Sequence, residues 1–174
     1  MGFKVLTILS LLVLFVSCKK TPETSFPDVD KIDNQNSQEI TEADVSKLKY
    51  IDYTLDVKTE DAIKDWKEYT QLQDIISNVK RGDLSFFNDN EEQVKILIKD
   101  LKDNMPKQVK SPSVSARLLV WETKILKLES LSNLSTTSKD ELLDVIKEFL
   151  VACSNVNFQM NKKVEFDTRD IEKP

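Results

Sequence analysis

The sequence predicts an all-α fold: an antiparallel four-helix bundle over residues 59–165 on a flexible N-terminal tether. Three observations lead there. Among 174 residues there are 2 glycines and 5 prolines, whereas sandwiches and barrels spend glycine and proline on many tight turns. Four successive segments carry apolar residues at steps of three and four, the spacing of one helical face. Capping and breaking residues stand at the expected ends of those segments. A hydrophobic fraction of 40% supplies one core, and the length suits one domain with extensions.

The chain opens "MGFKVLTILSLLVLFVSC". Lys4 and the amino terminus form a short positive region. Val5 to Val16 form an apolar run interrupted only by Thr7 and Ser10. A membrane-spanning helix needs about 20 apolar residues. This run is shorter and apolar on all sides, so residues 1–17 read as a cleaved export signal rather than a span or an amphipathic core helix. It ends Leu14-Phe15-Val16-Ser17-Cys18. Val16, Ser17 and Cys18 resemble the lipobox of bacterial lipoproteins, with Phe15 standing where leucine is usual. The resemblance covers only these first residues. It implies cleavage before Cys18, diacylglycerol on the Cys18 sulfur and a further acyl chain on its amine. Two or more chains give stable anchoring, whereas one binds marginally. The partner so implied is a membrane, reached through lipid on Cys18. Lys19 stands where lipoproteins retained at the inner membrane carry Asp, so the resemblance leans to the outer membrane of a bacterial envelope, with the periplasmic and surface faces both open.

Residues 18–58 read as the lipidated cysteine followed by a flexible tether or extended arm. Pro22 and Pro27 oppose helix, and polar residues dominate "KKTPETSFPDVDKIDNQNSQEITEADVSK". Such a segment buries too little surface to offset its ordering entropy. As a coil, about 30 residues span roughly 30 Å. A weak helical pattern appears near "SQEITEADVSKLKYI". Tyr53, Leu55 and Val57 alternate in "YIDYTLDV", which could lie across the bundle as an arm or lengthen the first helix.

The first helix is predicted from Thr59, as N-cap, to Gly82, which can take the left-handed position after a helix end. Its stripe is Ile63, Trp66, Tyr69, Leu72, Ile76 and Val79. Leu84, Phe86 and Phe87 follow as a plug for one end of the core. The second helix is predicted to open on an Asn88–Glu91 cap pair, to bury Val94, Leu97, Ile98, Leu101 and Met105, and to end at Pro106. The third opens on Ser111-Pro112, with proline at the first helical position. It carries Val114, Leu118, Trp121, Ile125 and Leu128, widened by Leu119, Leu126 and Leu131, and is expected to be the most buried. The fourth opens on a Ser138–Glu141 capping box and carries Leu142, Ile146, Phe149, Cys153, Val156 and Met160, with Val164 as an extension. "NVNFQMNKKVEF" also alternates, so helix is favoured there over a short strand. Residues 166–174 form a tail.

Composition also excludes chemistry. The chain has no histidine. Ser-His-Asp and Cys-His catalytic sets are therefore impossible, as are zinc and di-iron sites built on histidine. Two glycines cannot build a phosphate-cradling loop. A net charge of −5 disfavours broad nucleic-acid binding. No cofactor, metal site or catalytic residue is read from the sequence.

Other local patterns have structural explanations. Arg81-Gly82-Asp83 resembles an integrin-binding tripeptide, yet each residue suits a helix end. Cys153 lies on an apolar stripe, as a buried inert thiol would. Trp66, Trp121 and Tyr69 suit core packing. Glu91-Glu92 and Asp140-Glu141 sit in first turns, where the helix dipole favours acids. Asn133-Leu134-Ser135 is formally a glycosylation sequon, which a bacterial lipoprotein does not normally use.

Three functional expectations follow. The first is a non-enzymatic envelope lipoprotein whose helical domain binds or positions an envelope protein partner. The second is a small-ligand or cell-wall binding module with a groove lined by Trp66, Trp121 or Phe87. The third, least favoured, is a carboxylate-dependent enzyme, which needs two acids converging in a cleft.

Overall fold

The computed structural model describes residues 39–169. Cys18, the expected signal at 1–17, the tether over 19–38 and residues 170–174 lie outside the described residues. The domain is all-helical, with no strand among the described residues: α1 (Glu42–Val45), α2 (Val57–Ile63), α3 (Lys67–Lys80), a 3-10 turn (Ser85–Phe87), α4 (Glu91–Asp103), α5 (Pro112–Ser132) and α6 (Lys139–Asp167).

The expected first helix is two helices. α2 begins after Asp56, and Thr59 lies inside it, fully buried rather than capping, its hydroxyl without a hydrogen-bond partner among the described residues. The chain breaks at Lys64–Trp66 and α3 restarts behind Trp66. The apolar stripe runs through the break without a change of spacing, because Ile63, Trp66 and Tyr69 are all buried. Periodicity is therefore blind to it. The break accompanies the seating of Trp66 in the core, stacked on Tyr69 with ring centroids 5.3 Å apart.

Gly82 ends α3 as expected. Its φ is +83°, its N–H donates to Val79 O at 2.9 Å, and the Asp83 N–H donates to Asn78 O at 2.9 Å. These two bonds make a Schellman motif, which satisfies carbonyls the helix end would leave open.

The cap of α4 is not Asn88 but Asn90. Asn88 instead closes the 3-10 turn. Asn90 donates from Nδ2 to Phe86 O at 2.8 Å. Asn133 at the end of α5 clamps the same turn: Oδ1 accepts from the Asp89 N–H at 3.0 Å and Nδ2 donates to Phe87 O at 2.8 Å. Long-range bonds thus place the helix start two residues later than the local cap pattern suggests.

α5 opens on Ser111, whose hydroxyl accepts from the Val114 N–H, with Pro112 at the first position. It is not the most buried helix, since Leu119 is 62% exposed and Val120 lies outward too. That place belongs to α6, which buries Leu142, Ile146, Phe149, Cys153, Val156, Met160 and Val164. α6 packs against α5 and also meets α2 and α1. With 29 residues it is roughly 43 Å long at 1.5 Å per residue. Ser138 caps it by accepting from the Glu141 N–H at 3.2 Å. It runs as helix to Asp167, so the strand reading near residues 156–166 is discarded.

From residue 39 the chain packs on the domain rather than forming a flexible tether, and α1 falls within the stretch that shows a weak helical pattern. Ile40 and Val45 are buried, and α1 carries a reciprocal capping box between Thr41 and Asp44. Asp44 also pairs with Lys139 at 2.7 Å. Hydrogen bonds from Lys139 and Thr41 pull its carboxyl down to about 2. Residues 48–56 follow as an irregular extended arm, the alternative the alternation at Tyr53, Leu55 and Val57 had offered.

Candidate functional site

The arm lies along α6 without joining a sheet, so its backbone needs partners elsewhere. Three side chains of α6 supply them, at Ser154, Asn157 and Asn161. Spacings of three and four set them one above another on a single face. Ser154 Oγ accepts from the Tyr53 N–H at 2.7 Å and donates to Ile51 O at 2.7 Å. Asn157 Nδ2 donates to Tyr53 O at 3.0 Å. Asn161 Oδ1 accepts from the Asp56 N–H at 3.0 Å, and its Nδ2 donates to Thr54 O at 2.8 Å. The three residues form a ladder that reads an extended backbone by its N–H and C=O groups.

A cavity of about 370 Å³ opens between the arm, α2, α3 and α6. Tyr69 stands in its wall. Its hydroxyl donates to Asn157 Oδ1 at 2.7 Å and accepts from Gln73 Nε2. Lys80 and Asp52 also line it, paired at 2.6 Å. Burial is the largest single influence and would lower the Lys80 pKa, but the hydrogen bond to Asp52 and the charge interactions with Tyr50 and Asp52 together raise it and hold the ammonium charged. Ile63, Ile76 and Leu150 contribute apolar lining.

Burial pushes the Tyr69 phenol and the Cys153 thiol well up from their ordinary values. Both stay protonated at neutral pH, so neither serves as a nucleophile there. Above about pH 9 the unfolded chain releases protons that the folded chain keeps, so stability falls as pH rises. Urea unfolding at pH 7 and pH 10.5 should show a lower midpoint at the higher pH. Cys153→Ala should remove the thiol's share of that loss.

Of the residues weighed as possible site residues from sequence, Tyr69 and Cys153 line the cavity, beside the stripe and arm residues Tyr53, Leu55, Ile63 and Ile76. Trp66, Trp121 and Phe87 are 2%, 1% and 0% exposed. They pack the core and do not line the expected aromatic groove. Among the described residues the indole N–H groups of Trp66 and Trp121 have no hydrogen-bond partner. Glu91 and Glu92 sit exposed in the first turn of α4, and Asp140 and Glu141 in that of α6. Glu91 pairs with Lys95. In the Arg81-Gly82-Asp83 stretch, Arg81 bonds back to Ser77 and Asn78, and Asp83 Oδ1 accepts from the Ser85 N–H at 2.9 Å. Asn133 is the clamp on the 3-10 turn. Among the described residues no group of three or more Cys, Asp or Glu is placed to hold a metal ion, and no helix is long and apolar enough to cross a membrane.

Sequence reasoning missed Ser154, Asn157 and Asn161. The available signal was a run of small polar residues at helical spacing beside the apolar stripe of α6. Asn157→Ala should strip partners from Tyr53 O and the Tyr69 hydroxyl together. A loss of about 1–3 kcal/mol is expected, read as a lower urea midpoint with an unchanged slope.

Compared with protein-family models, with curated proteins and with solved structures, the chain matches none.

Proposed function

We propose that this chain is a lipid-anchored protein of a bacterial cell envelope, held through acyl chains on Cys18, and that its domain is a non-enzymatic module that binds a protein partner. The observation that carries the reading is the apolar run ending in Val16-Ser17-Cys18. Lys19 at the next position favours the outer membrane. Residues 19–38 then link the anchor to the domain.

The arrangement proposed for the domain is an antiparallel bundle of α3, α4, α5 and α6, with α1, the arm and α2 strapped across it. Support comes from the short connections 104–111 and 133–138, which favour antiparallel neighbours. Cross-helix ion pairs agree: Lys102 with Glu122 at 3.0 Å, and Lys124 and Lys127 with Glu148, both at 3.1 Å. Protonated Cys153 and Tyr69, and acids explained by caps and ion pairs, favour binding over catalysis. The cavity beneath the arm favours, as a second reading, a small-ligand module.

Fractionation of cells tests the anchor. The native chain is expected in the membrane fraction and the Cys18→Ser chain outside it. In-cell cross-linking tests the module: one reproducible protein partner is expected, and its absence counts against protein binding.

A further inference from the structure

We infer that the Ser154–Asn157–Asn161 ladder and the cavity beside it form a docking site for an extended peptide strand of a partner protein, with residues 51–56 as its resident occupant. This rests on the protein-binding reading above and names the surface and the chemistry of the partner.

Toward the arm the ladder bonds main-chain atoms: two N–H groups and three carbonyls between Ile51 and Asp56. A main-chain reader accepts any strand of suitable register, as in recognition by strand addition, with side-chain pockets adding specificity. The arm shows which side chains fit. Tyr53 and Leu55 turn inward and are half-buried, Tyr53 with its ring 4.7 Å from that of Phe158. Thr54 and Asp56 face solvent. Asp52 meets Lys80. The partner strand is thus extended, apolar at alternate positions, and acidic where it passes Lys80.

Two observations make the occupant exchangeable. The arm is only partly buried: Ile51 is 68% exposed, and Leu48, Tyr50, Tyr53 and Leu55 are half-buried. Beside it lies a solvent-open cleft of about 370 Å³ that Tyr53, Leu55, Tyr69 and Leu150 help to line. A strand with a bulkier side chain beside the cavity gains contacts that the arm lacks. Segments with few buried apolar contacts also open at low free-energy cost, ahead of global unfolding.

Two measurements on the full-length chain in detergent test this. In native-state hydrogen exchange, the Tyr53 and Asp56 amides should exchange at least about 100-fold faster than amides in the middle of α5 and α6, through local opening. Exchange only by global unfolding overturns the inference. In the second, a fluorescent peptide of sequence KYIDYTLDVK is titrated by anisotropy. Weakening the resident arm with Asp52→Ala and Tyr53→Ala should tighten peptide binding about tenfold or more, because apparent affinity scales with the open fraction. Adding Asn157→Ala and Asn161→Ala should abolish it. No binding to an arm-weakened chain that retains its helical circular dichroism overturns the inference. A partner recovered by cross-linking while the arm stays closed leaves the binding reading standing and removes only this site.

Discussion

Phe149→Ala is expected to cost about 3–5 kcal/mol of unfolding free energy, a large part of the 5–15 kcal/mol typical of a domain. Phe149 is fully buried at the middle of α6. Its ring meets Phe87 edge-on, with centroids 6.4 Å apart at 82°. It therefore ties α6 to the 3-10 turn that Asn133 clamps from α5. Truncation leaves a cavity where three elements converge, and rigid helices on all sides collapse into it poorly. Urea unfolding followed by circular dichroism measures the loss. Leu119→Ala on α5 is the matched control. Leu119 is 62% exposed, and a change within about 0.5 kcal/mol is expected. Equal losses at the two positions would contradict the assignment of α6 as the central helix.

Gly82→Ala is expected to cost about 2–4 kcal/mol, from the positive φ together with loss of apolar burial. At φ +83° a Cβ on residue 82 would lie 2.7 Å from Ile40 O, 2.8 Å from Thr41 C and 2.9 Å from Thr41 Cα. All three are backbone atoms, so no side chain can swing aside. The substitution must displace residues 40–41, and with them the burial of Ile40 and Val45 and the Asp44–Lys139 pair. The local readout separates this from general loss of stability. The Asp44 carboxyl, held at about 2, should return to the ordinary carboxylate range in an NMR titration. Trypsin should cut sooner at Lys47 and Lys49. The sign for acid follows: Asp44 stabilises the fold above its unfolded value of 3.8, and that contribution is lost as pH falls toward 2.

Much of the helical domain was legible in the sequence because burial repeats at helical period. Val94, Leu97, Ile98, Leu101 and Met105, and Val114, Leu118, Trp121, Ile125 and Leu128, are all buried, whereas Leu119, expected to widen the second face, is exposed. Ser111, Ser138 and Gly82 mark helix ends because their signals are local: a hydroxyl reaching an N–H three residues on, or a backbone conformation that favours glycine. Features set by distant partners were not legible. Asn88 resembles a cap, yet Asn133, more than forty residues away, helps fix the turn that starts α4. Thr59 resembles a cap, yet the chain turns earlier at Asp56, where Asn161 accepts its N–H.

The ladder was missed for the same reason. Residues 51–56 alternate as an extended arm would, but they are too polar to bury a core of their own and do not say what they lie against. Their backbone groups are satisfied by Ser154, Asn157 and Asn161, about a hundred residues later. Those polar residues in turn look unremarkable within a long helix until a strand is laid across them. Either half of the candidate site is nearly silent without the other.

Cys18 is proposed to begin the mature chain and to carry the anchor. Mass spectrometry of the intact protein purified from its own membranes tests this most directly. The expected mass lacks residues 1–17 and is increased by a diacylglycerol and one further acyl chain, with the lipid localised to Cys18 in the N-terminal peptide. A mature chain that retains residues 1–17, or that begins at Cys18 with no lipid mass, would contradict it.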